Sequence, residues 1–389
     1  MFAAVARDPV RSLAASRIRE VANAAMGAQD VLAFWFGEPD RPTPRFIVEA
    51  AHAALDAGDT FYHPNLGVPA LREALARYAG GLHRPLDAAR IAVTSSGVSG
   101  LMLAAQAVVC PGDRVVAVTP LWPNLTSIAR VMGASVHTVA LDIDPVRGRW
   151  RLDLDRLLGA LTPDTRMLMV NSPGNPTGWV MSRDEQATVL HHCRRHGIWL
   201  LSDEAYERLV FDGSPCAPSM LDLAEAQDRL VVANTFSKTW QMTGWRLGWL
   251  VLPPTLVPDV EKLIEFNTSC APGFVQRAGI AAVTQGEPAA QAFLDYVRTG
   301  ADTLTAALRQ VPRVMPVAPD GAMYVLLRID GEHDSLALAK SLVRDARLGL
   351  APGIAFGPEC EGFLRWCVAR PPEVLARGVD RLATYLRSR

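Results

Sequence analysis

Lysine is nearly absent from this chain. Lysine and arginine together number 39, yet only Lys238, Lys262 and Lys340 are lysines. Arginine serves as well for a solvated charge. A lysine kept between Ser237 and Thr239 therefore suggests work arginine cannot do: losing its proton and attacking a carbonyl. An excess of either charge is also missing. The formal net charge is −1, so the chain lacks the basic surplus of a nucleic-acid binder and the basic stripe of a membrane-surface protein. No apolar run approaches the ~18 residues of a spanning helix. The six cysteines are scattered with no C-x-x-C, which reads as free thiols in a reducing cytoplasm. The first twenty residues lack the apolar segment of a secretory signal, and Asp8 and Glu20 argue against a transit peptide. They are expected to form a loose arm.

What is present is an α/β pattern. The length of 389 residues exceeds one simple core and predicts a large and a small domain. "RIAVTS", "DRVVAV", "RMLMVN", "IWLLSDE", "RLVVANT" and "LGWLVL" are short, nearly continuous apolar runs separated by helical patterns. Such strands belong to a mostly parallel sheet covered by helices on both faces, a three-layer α/β/α unit. We place this unit at residues 45–280. A smaller α+β unit is expected at residues 281–389, with strands in "AMYVLLRI" and "FLRWCVA", and residues 1–44 are expected to supply an arm and part of it.

Four polar groups end four of these strands: Ser95-Ser96-Gly97, residues 171–178, Asp203, and Ser237-Lys238. In an open α/β sheet the ligand crevice lies outside those strand ends. The set suits a phosphorylated aromatic aldehyde. The turn in "TSSGVSG" opens a helix whose free N–H groups favour a phosphate, though Ser96 also reads as an ordinary helix cap. Ser237 and Arg246 offer a hydroxyl and a guanidinium to the same phosphate. Asp203 would pair with a protonated ring nitrogen, or else cap the segment "EAYERL". Lys238 would form the Schiff base; a phosphate-binding or surface lysine is the other reading. Lys262 and Lys340 lie in plain helical patterns and read as solvated. His192, Cys193 and His196 have i, i+4 spacing on a helix, but no second cluster supports a metal there.

"FWFGEPDRPTP", "YHPNLGVPALREAL", "NSPGNPTG", "SDEAYERLVFDG" and "SKTWQMTGWRLGW" closely resemble the class I/II aminotransferases, enzymes of fold type I that depend on pyridoxal 5'-phosphate. The resemblance implies roles. Lys238 resembles the imine lysine and Asp203 the partner of the pyridine nitrogen. Tyr206 and Asn175 resemble the residues that bond the cofactor's phenolic oxygen, and Trp122 the aromatic stacked on its ring. Ser96, Gly97, Val98, Ser237 and Arg246 surround the phosphate. Tyr62 resembles the tyrosine that reaches the neighbouring subunit's phosphate in a homodimer with shared sites; a tyrosine packed on its own subunit is the alternative. Arg365 and Gly37 resemble the residues that hold the substrate α-carboxylate, while a structural ion pair would also explain Arg365.

The implied reaction moves an amino group from an L-amino acid to a 2-keto acid, with Lys238 carrying the cofactor and then the proton. Relatives specific for aspartate can carry a lysine where Val98 stands. Neutral or aromatic donors are therefore expected, with Phe34, Trp35, Phe36 and Trp122 as apolar surface. Two other functions remain open. One is a C–S β-lyase on the same fold. The other is a pyridoxal-sensing transcription regulator, which the start of "FGEPD" near residue 36 disfavours by leaving no room for a DNA-binding domain before it.

Overall fold

The apolar runs become a seven-stranded sheet in the order Ile91–Thr94, Gly248–Val251, Leu230–Thr235, Trp199–Asp203, Thr165–Asn171, Arg114–Thr119, Ser135–Ala140. The computed structural model that shows this describes residues 5–388. Side chains alternate between two cores. Ile91, Val93, Val116, Val118, Leu168 and Val170 enter one, while Ala92, Val115, Ala117, Met167 and Met169 enter the other. This period of two, with both faces buried, makes the strands read as continuous apolar runs. Helices Arg45–Asp56 and Pro69–Leu82 pack on Gly273–Gln285, and Gly97–Val108 packs on Val257–Glu265 and on the strand Gly248–Val251. The chain is α/β with a mostly parallel central sheet, as expected.

Two features of the sheet differ from a plain alternation of strand and helix. Ser135–Ala140, absent from the expected strands, is one of the two edge strands; half of its six residues are exposed and its apolar residues are interrupted by His137 and Thr138, so no continuous apolar run marks it. Gly248–Val251 runs antiparallel to both neighbours. A parallel return would need a crossover of a dozen or more residues, usually a helix. Here residues 236–247 form only turns and one short 3-10 segment. That connecting loop carries Lys238.

A second sheet, antiparallel, has the order Val314–Val317, Tyr324–Ile329, Phe363–Cys367, Ala351–Pro352. Leu32–Ala33 pairs with Leu348–Gly349, joining the N-terminal segment to this part of the chain. The expectation of a loose arm is corrected from residue 17 onward. Arg17–Ala24 is a helix capped by Ser16, with Ile18 and Val21 buried. It packs on Ser335–Ala346, where Lys340 pairs with Glu20 at 2.5 Å. Two apolar residues one turn apart supply the stripe that holds a short helix down. Residues 1–4 of the expected arm lie outside the described residues.

Candidate active site

A cavity of about 450 Å³ opens where the strand ends predict it. Asn171, Asp203 and Thr235, each the last residue of its strand, line it from the central sheet. Tyr324 and Arg365 enter from the second sheet, and Ile18, Arg19 and residues 35–38 from the N-terminal segment. Thus three separate parts of the chain enclose one space.

Lys238 faces this cavity. Its Nζ donates to the Gly37 carbonyl at 2.5 Å and lies 5.8 Å from the centre of the Tyr206 ring. Burial pulls its pKa down to about 8; Arg365 and Arg246 add to the shift, while Cys367 and Glu38 oppose it. A lysine so placed gives up its proton near neutral pH, as a nucleophile or proton carrier must. Gly37 must be glycine, because a Cβ there would sit 1.9 Å from the Tyr324 hydroxyl.

Asp203 is buried at its strand end. Burial raises its carboxyl to about 7, against the opposing effects of the Ala205 N–H, 3.2 Å from Oδ1, and of the Lys238 charge. A buried carboxylate without an adjacent cation is costly. A cationic ring nitrogen in the cavity would relieve that cost, so the site fits the pyridine partner. The helix-cap alternative for Asp203 is not seen, since residues 205–208 form a turn. Tyr206 bonds Tyr324 hydroxyl to hydroxyl at 2.7 Å. Burial, with Tyr324 adding, holds Tyr206 well above its ordinary pKa.

The start of helix Gly97–Val108 lies at the cavity edge, with Gly97 and Val98 among the lining residues. The backbone is crowded there: a Cβ on Gly248 would meet the Gly97 nitrogen at 2.5 Å. Ser96 is placed differently from the expectation. Its hydroxyl accepts the Ser99 N–H at 3.1 Å and caps the helix, and the residue does not line the cavity. The capping reading holds for that side chain, because an N-terminal N–H group needs an acceptor. Ser237 and Arg246 do line the cavity, as do Trp122 and Asn124. Arg246 donates to the Thr243 carbonyl at 2.6 Å.

Arg365 is 2% exposed. It donates to Asn175 Oδ1 at 2.8 Å and to the Trp35 carbonyl, with its guanidinium 4.3 Å from the Tyr324 ring centre and 4.8 Å from that of Phe356. Its Nε has no partner. No carboxylate pairs with it among the described residues, so the structural ion pair is not seen. Arg19 and Arg246 also line the cavity without an acid partner among the described residues. Three unpaired guanidinium groups around one space call for anionic ligands. A phosphate, an α-carboxylate and one further anion fit this donor set.

The sequence profile of the family "Aminotransferase class I and II" matches residues 29–382. The chain belongs to the class I and II aminotransferases. It is 32% identical to an aspartate aminotransferase of Pyrococcus horikoshii over 95% of this chain and 94% of that one. It is equally, 32%, identical to an arginine–pyruvate transaminase of Pseudomonas aeruginosa over 91% and 90%. A solved aminotransferase of Mycobacterium tuberculosis superposes with a TM-score of 0.91 at 29% identity, covering 100% of both chains. The activity is amino-group transfer, and the β-lyase alternative is not favoured.

A second expected residue, besides Ser96, does not line this aminotransferase's cavity. Tyr62 is 88% exposed on its loop beside Phe61, which is 80% exposed, so it does not pack on its own subunit. Other lining residues escaped the sequence reading. Tyr324 hides at the start of an apolar strand, where its hydroxyl looks incidental. Arg19 sits on the helix taken for a loose arm; its i+1 position after the buried Ile18 is the one available signal.

Proposed function

We propose that this aminotransferase binds pyridoxal 5'-phosphate in the 450 Å³ cavity and uses it to move amino groups from neutral or aromatic L-amino acids to a 2-keto acid. The supporting observation is a lysine with a lowered pKa and a buried, cation-seeking aspartate facing one space ringed by unpaired arginines. Lys238 Nζ would anchor the cofactor through its aldehyde. The N-terminus of helix Gly97–Val108, Ser237 and Arg246 would hold its phosphate, Trp122 its ring face, and Tyr206 and Asn175 its phenolic oxygen. When bound, the cofactor supplies an electron sink for the pair left on Cα after a proton departs. Arg365 orients the substrate by its α-carboxylate, with Gly37 beside it. Lys238 Nζ would accept the proton from the substrate Cα and hand it back at the carbon two bonds away, across the nitrogen, so that the lysine ends unchanged. Asp203 keeps its charge against the ring nitrogen.

The donor preference rests on Val98, Phe36, Trp122 and Ile18, which line the cavity with apolar surface. We further propose a cytoplasmic homodimer with shared sites, supported by six unpaired thiols and by the exposed Tyr62. The division at residues 1–44, 45–280 and 281–389 is also proposed, supported by the two separate sheets. Two measurements test the reading. Borohydride reduction and peptide mapping should place a pyridoxyl label on Lys238; a label on Lys262 or Lys340 would refute the anchor. A panel of twenty amino donors with 2-oxoglutarate and pyruvate should show the highest kcat/KM for a neutral or aromatic donor, and aspartate at the head of the panel would refute the preference.

A further inference from the structure

Behind the active-site wall lies a second polar cluster that the transamination chemistry does not use. His83, Glu204 and Glu207 bring one ligand atom each within 4.8 Å of one another. Glu204 and Glu207 directly follow Asp203 and Tyr206, so the cluster backs the turn that carries both. The His83 side chain is 1% exposed, and neither ring nitrogen has a hydrogen-bond partner. The ring is nevertheless flanked by acids. Nδ1 is 3.3 Å from Asp222 Oδ1, and Nε2 is 3.7 Å from Glu207 Oε2.

Those distances carry the argument. N–H···O bonds cluster at about 2.9–3.0 Å, so 3.7 Å is too long for one. Two ligand atoms on one tetrahedral zinc, each about 2.1 Å from it, stand roughly 3.4 Å apart. Asp222 lies on the far nitrogen, where metal-bound histidines usually find a carboxylate that fixes the ring's tautomer. The carboxylate of Glu204 is oriented by the Ser202 hydroxyl at 2.8 Å and the Ser219 hydroxyl at 2.6 Å. Tyr78 donates to Glu207 Oε1 at 3.2 Å, which leaves Oε2 for the ring side. Three carboxylates thus gather around one imidazole. Arg208, which donates to the Tyr78 hydroxyl at 3.4 Å, is engaged by Glu287. Even with the imidazole protonated, three ionised carboxylates leave the group short of positive charge.

We propose that His83 Nε2, Glu204 and Glu207 bind a divalent transition-metal ion of the zinc type, oriented by Asp222. One nitrogen and two carboxylate oxygens suit such an ion better than Mg²⁺ or Ca²⁺, which prefer all-oxygen shells. Its role is structural: it ties the end of helix Pro69–Leu82, which His83 follows, to the turn behind Asp203. The proposal is independent of the substrate and of the cofactor.

The test uses the full-length purified enzyme, stripped with a chelator and titrated with ZnCl2 by calorimetry, with metal content measured after dialysis. The expected result is one zinc per chain and a melting temperature raised by at least ~3 °C at excess metal. His83→Ala and Glu207→Gln should each weaken binding ~100-fold, and Asp222→Asn ~10-fold. His196→Ala, which removes one member of the surface pair His192 and His196, should leave the site intact. If His83→Ala does not fold, Glu207→Gln and Asp222→Asn decide the matter alone. Zinc uptake that is absent, that survives Glu207→Gln unchanged, that vanishes with His196→Ala, or that MgCl2 matches would each overturn the proposal.

Discussion

Arg365 and Asn175 are 190 residues apart in sequence and joined by a 2.8 Å hydrogen bond. The bond crosses the cavity wall from the second sheet to the loop after Thr165–Asn171. Asn175 is itself held, its N–H given to Asn171 Oδ1 at 2.7 Å. The guanidinium is thereby fixed with its Nε free and no acid neutralising it. Lysine in its place lacks the planar fork. Charged hydrogen bonds are worth about 1.5–3 kcal/mol, so Arg365→Lys should lower kcat/KM for amino and keto acids alike by roughly 10–100-fold, chiefly through KM. Unchanged KM with only a lowered melting temperature would indicate a structural arginine.

Asp203 sets a pH dependence in the cofactor-free protein. Its folded pKa is about 7 against an ordinary 3.8, so the folded state binds its proton more tightly. That contribution to stability is complete below the unfolded pKa and is lost as pH rises to about 7. Lys238 works in the next window: lowered to about 8 from 10.5, it lets stability recover as pH rises between those values. The bare protein should therefore be least stable near pH 7–8 in these two terms. Asp203→Asn should raise its melting temperature at pH 8, by up to ~4 kcal/mol of stability, and the gain should shrink toward pH 5. With cofactor added, the same variant should be nearly inactive. A variant no more stable than the parent at pH 8 would contradict the burial argument.

Arg19 sits at the cavity mouth with its guanidinium 5.8 Å from the Phe36 ring centre and no acid partner among the described residues. Its charge is expected to meet the distal carboxylate of a five-carbon keto acid when one is bound. Arg19→Ala should raise KM for 2-oxoglutarate ~10-fold and leave that for pyruvate unchanged, since loss of one exposed charge contact costs about 1 kcal/mol or slightly more. Equal effects on both acceptors would show that the helix Arg17–Ala24 acts by closing the site and not by its charge.

Tyr62 should act in the neighbouring subunit. Mixed dimers of Tyr62→Phe and Lys238→Ala chains contain one site with both defects and one with neither. Activity should rise above that of either parent once subunits exchange. No rise, with exchange confirmed by native mass spectrometry, places Tyr62 outside the partner's site.

The sequence by itself determined the strands with both faces buried, because continuous apolar runs such as "RMLMVN" have few other destinations. It also located polar residues that line the cavity: Lys238, Asp203, Asn175 and Arg246 were legible because a short motif carries each of them. Tertiary structure decided the rest. The reversed direction of Gly248–Val251 depends on how residues 236–247 close, and the edge strand Ser135–Ala140 carries no continuous apolar run. Ser96 turned inward to cap its helix, since the Ser99 N–H needed an acceptor more locally than any ligand could provide. Tyr324 and His83 gain their meaning only from neighbours 100 or more residues away, such as Tyr206 for Tyr324 and Glu204 for His83. Local pattern reports which face of an element is apolar. Which distant polar groups meet across a cavity is settled by packing, and no short stretch of sequence contains it.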